Sequence, residues 1–345
     1  MQNAHNQPLS ATQITKQWFA QPVRLLAPME GLTDPLMREI LTQISVDLTA
    51  DIAQEQKGYS WSVSEFIRVT QTVLPNHVFY KYVPELHTNS KTKAGTPIHI
   101  QLLGSDAKLM AENAVKACEL GAPAIDINFG CPAKTVNNHK GGSVLLTEPP
   151  LMQAIISAVR TAVPAHIPVS AKIRLGYENM DNMDDIRQAI ADSGANWLTI
   201  HARTKTQGYK PPAYWDKITK FTDLPIPIIA NGEIWTPEHA KNCMIQANTP
   251  HLMLGRGAVT RPDLLAKVCH DDNNLPTPTL TWSALIPHQI NFLSGQAKSD
   301  TMLVGRYKQW LGMLTKGYDE AIEVWDTVKR EKELNKIIDL LLSTC

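Results

Sequence analysis

Short apolar runs alternate along the chain with longer segments of helical periodicity. Most of the runs are continuously apolar over four to six residues: Val23–Ala27, Ile98–Leu103, Ala124–Ile127, Val169–Ile173, Trp197–Ile200, Ile226–Ala230 and His251–Leu254. A weaker run lies at Val63–Val69. Strands that are buried on both faces of a parallel sheet have this pattern, so we predict eight parallel strands.

The segments between the runs predict amphipathic helices, among them Ala107–Glu119, Leu151–Ala162, Asp184–Asp192 and Pro237–Gln246. Asp106 and Thr236 precede two of them and are suited to cap their first turns. Repeated βα units of this length close most naturally into a barrel. The predicted fold class is therefore α/β, a (β/α)8 TIM barrel, with an all-helical bundle after it.

The domain boundaries follow from where the alternation begins and ends. We predict a flexible tail over residues 1–21, a catalytic barrel over 22–270, a polar linker over 271–279 and a helical domain over 280–345. The polar stretch Ala50–Ser62 is predicted to be a long insertion after the first barrel helix.

Composition narrows the class of protein. A chain of 345 residues with 43% hydrophobic content suits a barrel with a smaller appendage. Its five cysteines are odd in number and contain no CxxC pair, which favours reduced thiols over a disulfide framework or a zinc site. No apolar run is long enough to cross a bilayer and no signal peptide is evident, so we expect a cytoplasmic protein with no membrane and no metal partner. The formal net charge of zero counts mildly against a dedicated nucleic-acid binder.

Polar residues, together with turn-forming prolines and glycines, stand at the carboxyl ends of nearly every predicted strand, where a barrel builds its active site. In chain order they are Pro28, Met29 and Glu30; Gln101; Asn128 and Cys131; Lys172 and Arg174; His201; Asn231, Gly232 and Glu233; and Gly255, Arg256 and Gly257. The glycines with Arg256 after the last two strands predict a phosphate site. Lys172 and Gln101 suit the polar edge of an isoalloxazine ring, so the sequence predicts a phosphate-bearing flavin.

Each of these residues also has a structural interpretation. Cys131 can be a small buried hydrophobe, although Gly-Cys-Pro after a strand indicates a loop. Lys172 is costly to bury without a partner, His201 can be a hydrogen-bonded core histidine, and the glycines can be ordinary turns. His139 raises the alternative of a Cys–His nucleophile, for which no orienting third group is evident.

Together these strand-end motifs resemble the tRNA-dihydrouridine synthases, FMN-dependent barrels with a C-terminal helical domain. The resemblance covers most of the chain from about Val23. It is carried by Asn128-Phe129-Gly130-Cys131-Pro132, Gly141-Gly142-Ser143, Lys172-Ile173-Arg174, His201-Ala202-Arg203-Thr204, Asn231-Gly232 and Gly255-Arg256-Gly257. Glu65-Phe66-Ile67-Arg68-Val69 and Tyr307-Lys308-Gln309-Trp310-Leu311 are similar to the bacterial C subgroup, which implies uridine 16 of the D-loop as the target.

The resemblance implies a reaction and a set of residue roles. NADPH reduces FMN, hydride passes from flavin N5 to C6 of a uridine, and Cys131 donates a proton to C5. Asn128 would fix the pyrimidine edge with Arg174 beside it. The positions that would hold tRNA are Arg68, Arg306, Lys308, Lys329 and Arg330. We expect a monomer.

Two other functions are consistent with parts of this pattern. One is an FMN barrel that reduces a small-molecule enone or pyrimidine, which leaves the helical domain unexplained. The other is a tRNA-binding or folding factor that has lost catalysis, which leaves Cys131 and the flavin residues unexplained.

Overall fold

A closed ring of parallel strands forms the centre of the computed structural model, which describes residues 9–295 and 299–343. The strands are β1 Arg24–Leu26, β2 Trp61–Val63, β3 Ile67–Arg68, β4 Ile98–Leu103, β5 Ile125–Phe129, β6 Val169–Arg174, β7 Trp197–His201, β8 Ile228–Asn231 and β9 His251–Leu254. Neighbours pair in the order β1-β2-β4-β5-β6-β7-β8-β9, and β9 pairs with β1 to close the barrel. The predicted TIM barrel is confirmed.

The second barrel strand is divided. β2 pairs with the start of β4, through Ser62 and Ile98, whereas β3 pairs with its end, through Ile67 and Leu102. The residues between them turn the carboxylate of Glu65 toward the first loop, where it accepts a 2.5 Å hydrogen bond from the Gly31 N–H. This break explains why the sequence signal at Val63–Val69 was weak.

Fourteen α-helices accompany the strands among the described residues. They are α1 Ala11–Trp18, α2 Pro35–Leu48, α3 Asn76–Tyr82, α4 Ala107–Glu119, α5 Lys134–Asn138, α6 Pro149–Ala162, α7 Met183–Ala191, α8 Pro237–Ala247, α9 Arg256–Thr260, α10 Leu264–Asp272, α11 Trp282–Leu293, α12 Asp300–Leu314, α13 Glu320–Val328 and α14 Leu334–Ser343. Asp106 and Thr236 cap α4 and α8 as predicted, each accepting from a backbone N–H three residues on.

Residues 11–18 form a docked helix where the sequence predicted a loose tail. Trp18 at the end of α1 stacks on His99 with ring centroids 5.1 Å apart and lies 5.6 Å from Trp61 and 6.0 Å from Trp197. These rings close the amino-terminal end of the barrel. The helix was not predicted from the sequence because the segment is mostly polar; only Ala11 and Thr15 of the helix are buried. Residues 1–8 of the predicted tail lie outside the described residues.

The segment predicted as an insertion is the connection from α2 to β2. It contains a short 3-10 helix, Gln54–Gln56, and ends at Ser60, whose N–H donates to the Arg24 carbonyl at the start of β1. Because this connection enters a strand at its amino end, it lies on the opposite side of the barrel from the strand-end loops.

The linker begins slightly later than predicted, since α10 continues to Asp272 and α11 starts at Trp282. Asp263 joins the two domains: its buried carboxylate accepts from Arg261 at 2.6 and 3.0 Å, from Lys267 at 3.0 Å and from the Leu280 N–H at 3.1 Å. Arg261 in turn donates to the Gly317 carbonyl at 2.7 Å. The helical domain is thus fixed beside the carboxyl ends of the strands. No helix in the described part of the chain has the length and apolar character to span a membrane.

Candidate active site

A cavity of about 420 Å³ opens at the carboxyl ends of the strands. Its walls include fourteen of the residues predicted from the sequence: Pro28, Met29, Glu30, Asn128, Cys131, Lys172, Arg174, His201, Asn231, Gly232, Glu233, Gly255, Arg256 and Gly257. They come from the barrel strands or from the loops after them. Alternation along each strand explains the convergence, since Lys172 and Arg174 are two residues apart and point to the same side.

The loop after β5 fixes Cys131 at one wall of the cavity. Its carbonyl accepts hydrogen bonds from the Ser143 N–H at 3.0 Å, the Ser143 hydroxyl at 2.8 Å and the Asn137 amide at 3.0 Å. Gly142 has φ +66°, and a Cβ there would lie 2.8 Å from the Cys131 carbonyl oxygen, so only glycine allows this approach. The Gly-Gly-Ser turn therefore holds the cysteine in place.

The Cys131 thiol is nearly buried, packed against Phe66, Leu103 and Val136. Burial raises the pKa of the thiol, and the charge of Glu30 raises it further. The Ala133 N–H and the charges of Arg174 and Arg68 oppose this without reversing it. The side chain is therefore a protonated thiol at neutral pH, suited to donate a proton rather than to attack as a thiolate.

His139 is exposed and does not line the cavity. The structure therefore does not support the Cys–His nucleophile considered from the sequence.

Lys172 lies fully within the barrel and donates a 3.0 Å hydrogen bond from Nζ to Asn231 Oδ1. Burial, and then the charge of Arg174, lowers its pKa from 10.5 to about 8. Burial together with the surrounding cations also lowers the pKa of His201 well below its usual value, so the imidazole is neutral. Its Nδ1 is buried without a hydrogen-bond partner among the described residues.

Glu233, which also lines the cavity, contacts two arginines. Its carboxylate accepts from Arg203 and, at 2.9 Å, from the Trp235 indole, and it lies 3.8 Å from Arg256. Burial raises the pKa of Glu233, but the hydrogen bonds from Arg203 and Trp235 outweigh it and leave the pKa lowered. Arg203 Nη1 is buried and has no partner among the described residues. Arg256 at this wall is thus a guanidinium that an anion in the cavity could contact, with Arg203 beside it on the same carboxylate.

Gln101 is the predicted cofactor residue that does not line the cavity. It is completely buried below the floor, where its Nε2 donates to Asp126 at 2.6 Å and its Oε1 accepts from Asn128 at 2.7 Å. Asn128 does line the cavity, but its Oδ1 already accepts from the Gly130 and Cys131 N–H groups, both at 2.9 Å.

The five residues predicted to hold tRNA lie outside the cavity. Arg68 acts on the Cys131 thiol through its charge. Arg306 forms a 3.0 Å ion pair with Asp34, and Lys329 a 2.6 Å pair with Asp326. Lys308 donates to the carbonyls of residues 329 and 331 at the end of α13. Arg330 is exposed.

Sequence reasoning missed several residues of the site. Tyr209, 49% exposed in the loop after β7, lies under two guanidinium groups, 5.2 Å from Arg174 and 4.6 Å from Arg256. Trp235 and Gln309 also line the cavity, and Gln309 brings a side chain of the helical domain into it. An aromatic residue in a strand-end loop was an available signal for Tyr209, whereas Gln309 depends on how the domains pack.

The residues present fit a flavin phosphate. A fully buried ammonium, a neutral imidazole with an unpartnered nitrogen and an unpaired guanidinium nitrogen all lie in or beside one cavity. Gly232 has φ +114°, and a Cβ on it would approach the His201 ring to 3.3 Å, so a side chain there would be strained against the cavity wall. Within the described residues, no group of His, Cys, Asp or Glu is arranged to hold a metal ion.

Comparison with known proteins gives one family. The family profile described as "Dihydrouridine synthase (Dus)" matches residues 25–337. A tRNA-dihydrouridine(16) synthase of Pseudomonas syringae pv. tomato is 47% identical over 319 residues, covering 92% of this chain and 97% of its own. The protein of the same name from Neisseria meningitidis serogroup A is 42% identical over 321 residues, covering 92% and 93%.

Solved structures with the same fold are more distant in sequence. A 2-naphthoyl-CoA reductase has a TM-score of 0.52 at 11% identity, over 72% of this chain and 50% of its own. A histamine dehydrogenase from Rhizobium sp. has a TM-score of 0.51 at 11% identity, over 79% and 49%. These likenesses show the barrel fold alone.

Proposed function

The chain belongs to the dihydrouridine synthase family, and on that premise we propose that it reduces uridine 16 in the D-loop of tRNA to 5,6-dihydrouridine. The reaction is a flavin-dependent reduction of a carbon–carbon double bond. The observation that carries the proposal is the nearly buried, protonated Cys131 thiol at the wall of a cavity that Lys172, Arg174 and Arg256 also line. Because its proposed substrate is tRNA, we place the enzyme in the cytoplasm, where it acts as a monomer.

The cofactor is FMN, with NADPH as reductant. When bound, it supplies the hydride that C6 of the uracil ring accepts. Lys172 contributes a buried positive charge that favours the reduced, anionic form of the ring. Arg256, Gly232 and Gly255 would hold its phosphate, and His201 would offer the neutral ring nitrogen that lacks a partner.

The chain's own residues complete the reduction. The Cys131 S–H bond breaks as its proton passes to C5, leaving a thiolate that the charges of Arg174 and Arg68 stabilise. The hydrogen bonds on its backbone keep the thiol at one wall while the base is bound. Tyr209 lines the cavity beside Arg174 and Arg256 and is 49% exposed, so its ring is available to contact a flipped base.

The residues proposed to contact tRNA differ in how much each would add to the affinity for tRNA. Arg330 is exposed, so a phosphate contact adds directly to affinity. Arg306, Lys308 and Lys329 already have intramolecular partners, and a phosphate would replace these. Replacing Arg330 by Ala is expected to lower the slope of log affinity against log salt by about one.

The decisive assay incubates the protein with NADPH and tRNA that lacks dihydrouridine, and then maps the modified nucleotide. Product at position 16 is expected. Cys131→Ala should keep the flavin absorbance and lose product, whereas Cys118→Ala, a half-buried thiol outside the cavity, should keep both. Flavin turnover on an enone or free uridine with no RNA product would instead identify a small-molecule reductase. Full activity of Cys131→Ala would show that another group is the acid.

A further inference from the structure

A chain of buried side chains connects the centre of the barrel to the backbone of the reactive cysteine. It starts at Ser170, whose hydroxyl donates to Asp126 Oδ1 at 2.6 Å. Gln101 Nε2 donates to Asp126 Oδ2 at 2.6 Å, and Asn128 Nδ2 donates to Gln101 Oε1 at 2.7 Å. Asn128 Oδ1 accepts from the Gly130 and Cys131 N–H groups, both at 2.9 Å.

We propose that Asp126 is a positioning residue, which sets the direction of this hydrogen-bond chain and thereby the orientation of the Cys131 loop. An amide side chain can present its oxygen or its nitrogen to a neighbour, and two amides in series can both be reversed. An ionised carboxylate can only accept.

The direction follows from that asymmetry. Because Asp126 only accepts, Gln101 must turn its Nε2 toward it and its Oε1 toward Asn128. Asn128 must then turn its Nδ2 toward Gln101, which leaves its Oδ1 for the backbone N–H groups of the cysteine loop. If the Asn128 amide were reversed, its Nδ2 group, a donor, would face the Gly130 and Cys131 N–H groups, which are donors as well.

The geometry indicates an accepting carboxylate in this role, since one oxygen of Asp126 lies 2.6 Å from the Ser170 hydroxyl and the other lies 2.6 Å from the Gln101 amide nitrogen. Asp126 is 2% exposed and burial raises its pKa; the hydrogen bonds from Ser170 and Gln101 and the charge of Lys172 reduce that rise without reversing it. Neighbouring strands place Asp126 beside Ser170 and Asn128 beside Lys172. Asp126, Gln101 and Ser170 are buried and do not line the cavity, so water does not offer them an alternative partner and a misdirected Gln101 amide is costly.

The test moves the carboxylate from position 126 to position 101, the next residue in the series of hydrogen bonds. Asp126→Asn allows the amides to reverse, and Gln101→Glu places two carboxylates against each other. Each single variant is expected to lose about tenfold or more in kcat for dihydrouridine formation, with KM for tRNA nearly unchanged. In the double variant, the carboxylate introduced at position 101 would be the acceptor-only group between an amide at position 126 and the amide of Asn128. Its kcat should therefore return to within about threefold of wild type.

A second measurement does not depend on the proposed function. The holoenzyme is treated with iodoacetamide, and the alkylation rate of Cys131 is followed by peptide mass spectrometry. This rate should change in both single variants and return in the double variant. Ser170→Ala is the matched control, since it removes a bond of the same length from the same carboxylate but leaves the amide direction fixed; it should behave like wild type.

The outcomes separate two failures. If the wild type forms no dihydrouridine, the proposed function is wrong, and the alkylation rates still test the role of Asp126. If the wild type is active but the double variant is no better than the worse single variant in both assays, Asp126 supports the fold only and the inference is overturned.

Discussion

Replacing Lys172 by Met is expected to make the ligand-free protein more stable at neutral pH. Burial and the charge of Arg174 lower the pKa of Lys172 to about 8 in the folded chain, against 10.5 for an ordinary lysine. That difference corresponds to about 3 kcal/mol of unfolding free energy lost at pH 7. Loss of the hydrogen bond to Asn231 offsets about 1 kcal/mol, so the net gain of the variant is about 2 kcal/mol.

The sign of the pH dependence identifies the group. Between pH 8 and 10.5 the unfolded wild type binds more protons at this position than the folded wild type, so its stability rises with pH. From pH 7 to pH 9.5 the wild type should gain about 2 kcal/mol relative to Lys172→Met. Urea unfolding of both proteins after removal of flavin, at several pH values, measures this difference.

The matched control is Lys241→Met, because the Lys241 side chain is exposed. Its unfolding free energy should follow that of the wild type across the same range. If the gap between wild type and Lys172→Met stays constant from pH 7 to pH 9.5, the ammonium is not strained by burial and the reasoning fails. Flavin affinity of Lys172→Met should fall, since the charge that destabilises the empty barrel is the one proposed to hold the ring.

Three further perturbations test other parts of the structure. Because burial raises the pKa of Cys131, its alkylation rate should still rise with pH beyond the range of an ordinary thiol; a plateau by pH 8 would contradict this. Asp263→Asn should cost about 3 kcal/mol in urea unfolding by leaving Arg261 without its buried partner, against less than about 1 kcal/mol for the exposed Asp326→Asn. Since Arg261 keeps the pKa of Asp263 low despite burial, this stability is present at neutral pH and is lost as pH falls through the folded pKa. Trp18→Ala should cost about 2 kcal/mol in the same assay, with activity per folded molecule unchanged.

The barrel and most of its cavity were predictable because strand periodicity is a local property. Alternation placed Lys172 and Arg174 on one side, and the glycine and proline around Cys131 indicated a loop. The four predicted helices agree with the structure to within two residues at each end. Where a pattern depends only on neighbours in sequence, the chain alone was sufficient.

The parts that were missed depend on contacts between distant segments. Nothing near Gln101 in sequence shows that Asp126 and Asn128 would occupy both ends of its amide. Trp18 ends a polar segment, and its role appears only when the barrel brings His99 and Trp61 beneath it. Lys308 was predicted to hold tRNA, and the carbonyls that accept from it lie about twenty residues away in sequence, in the segment after α13.

The cationic groups of the cavity lower the stability of the ligand-free protein and favour the binding of an anionic ligand. Burial lowers the pKa of Lys172, Arg174 and Arg256 and keeps His201 neutral, so the cationic form of each base is disfavoured in the folded chain. Glu233 supplies a negative charge to two of the neighbouring guanidinium groups, those of Arg203 and Arg256. Arg203 Nη1 still has no hydrogen-bond partner among the described residues. An anionic ligand would supply the missing counter-charge and acceptors. The same groups therefore weaken the free protein and strengthen binding, which is why Lys172→Met should move stability and flavin affinity in opposite directions.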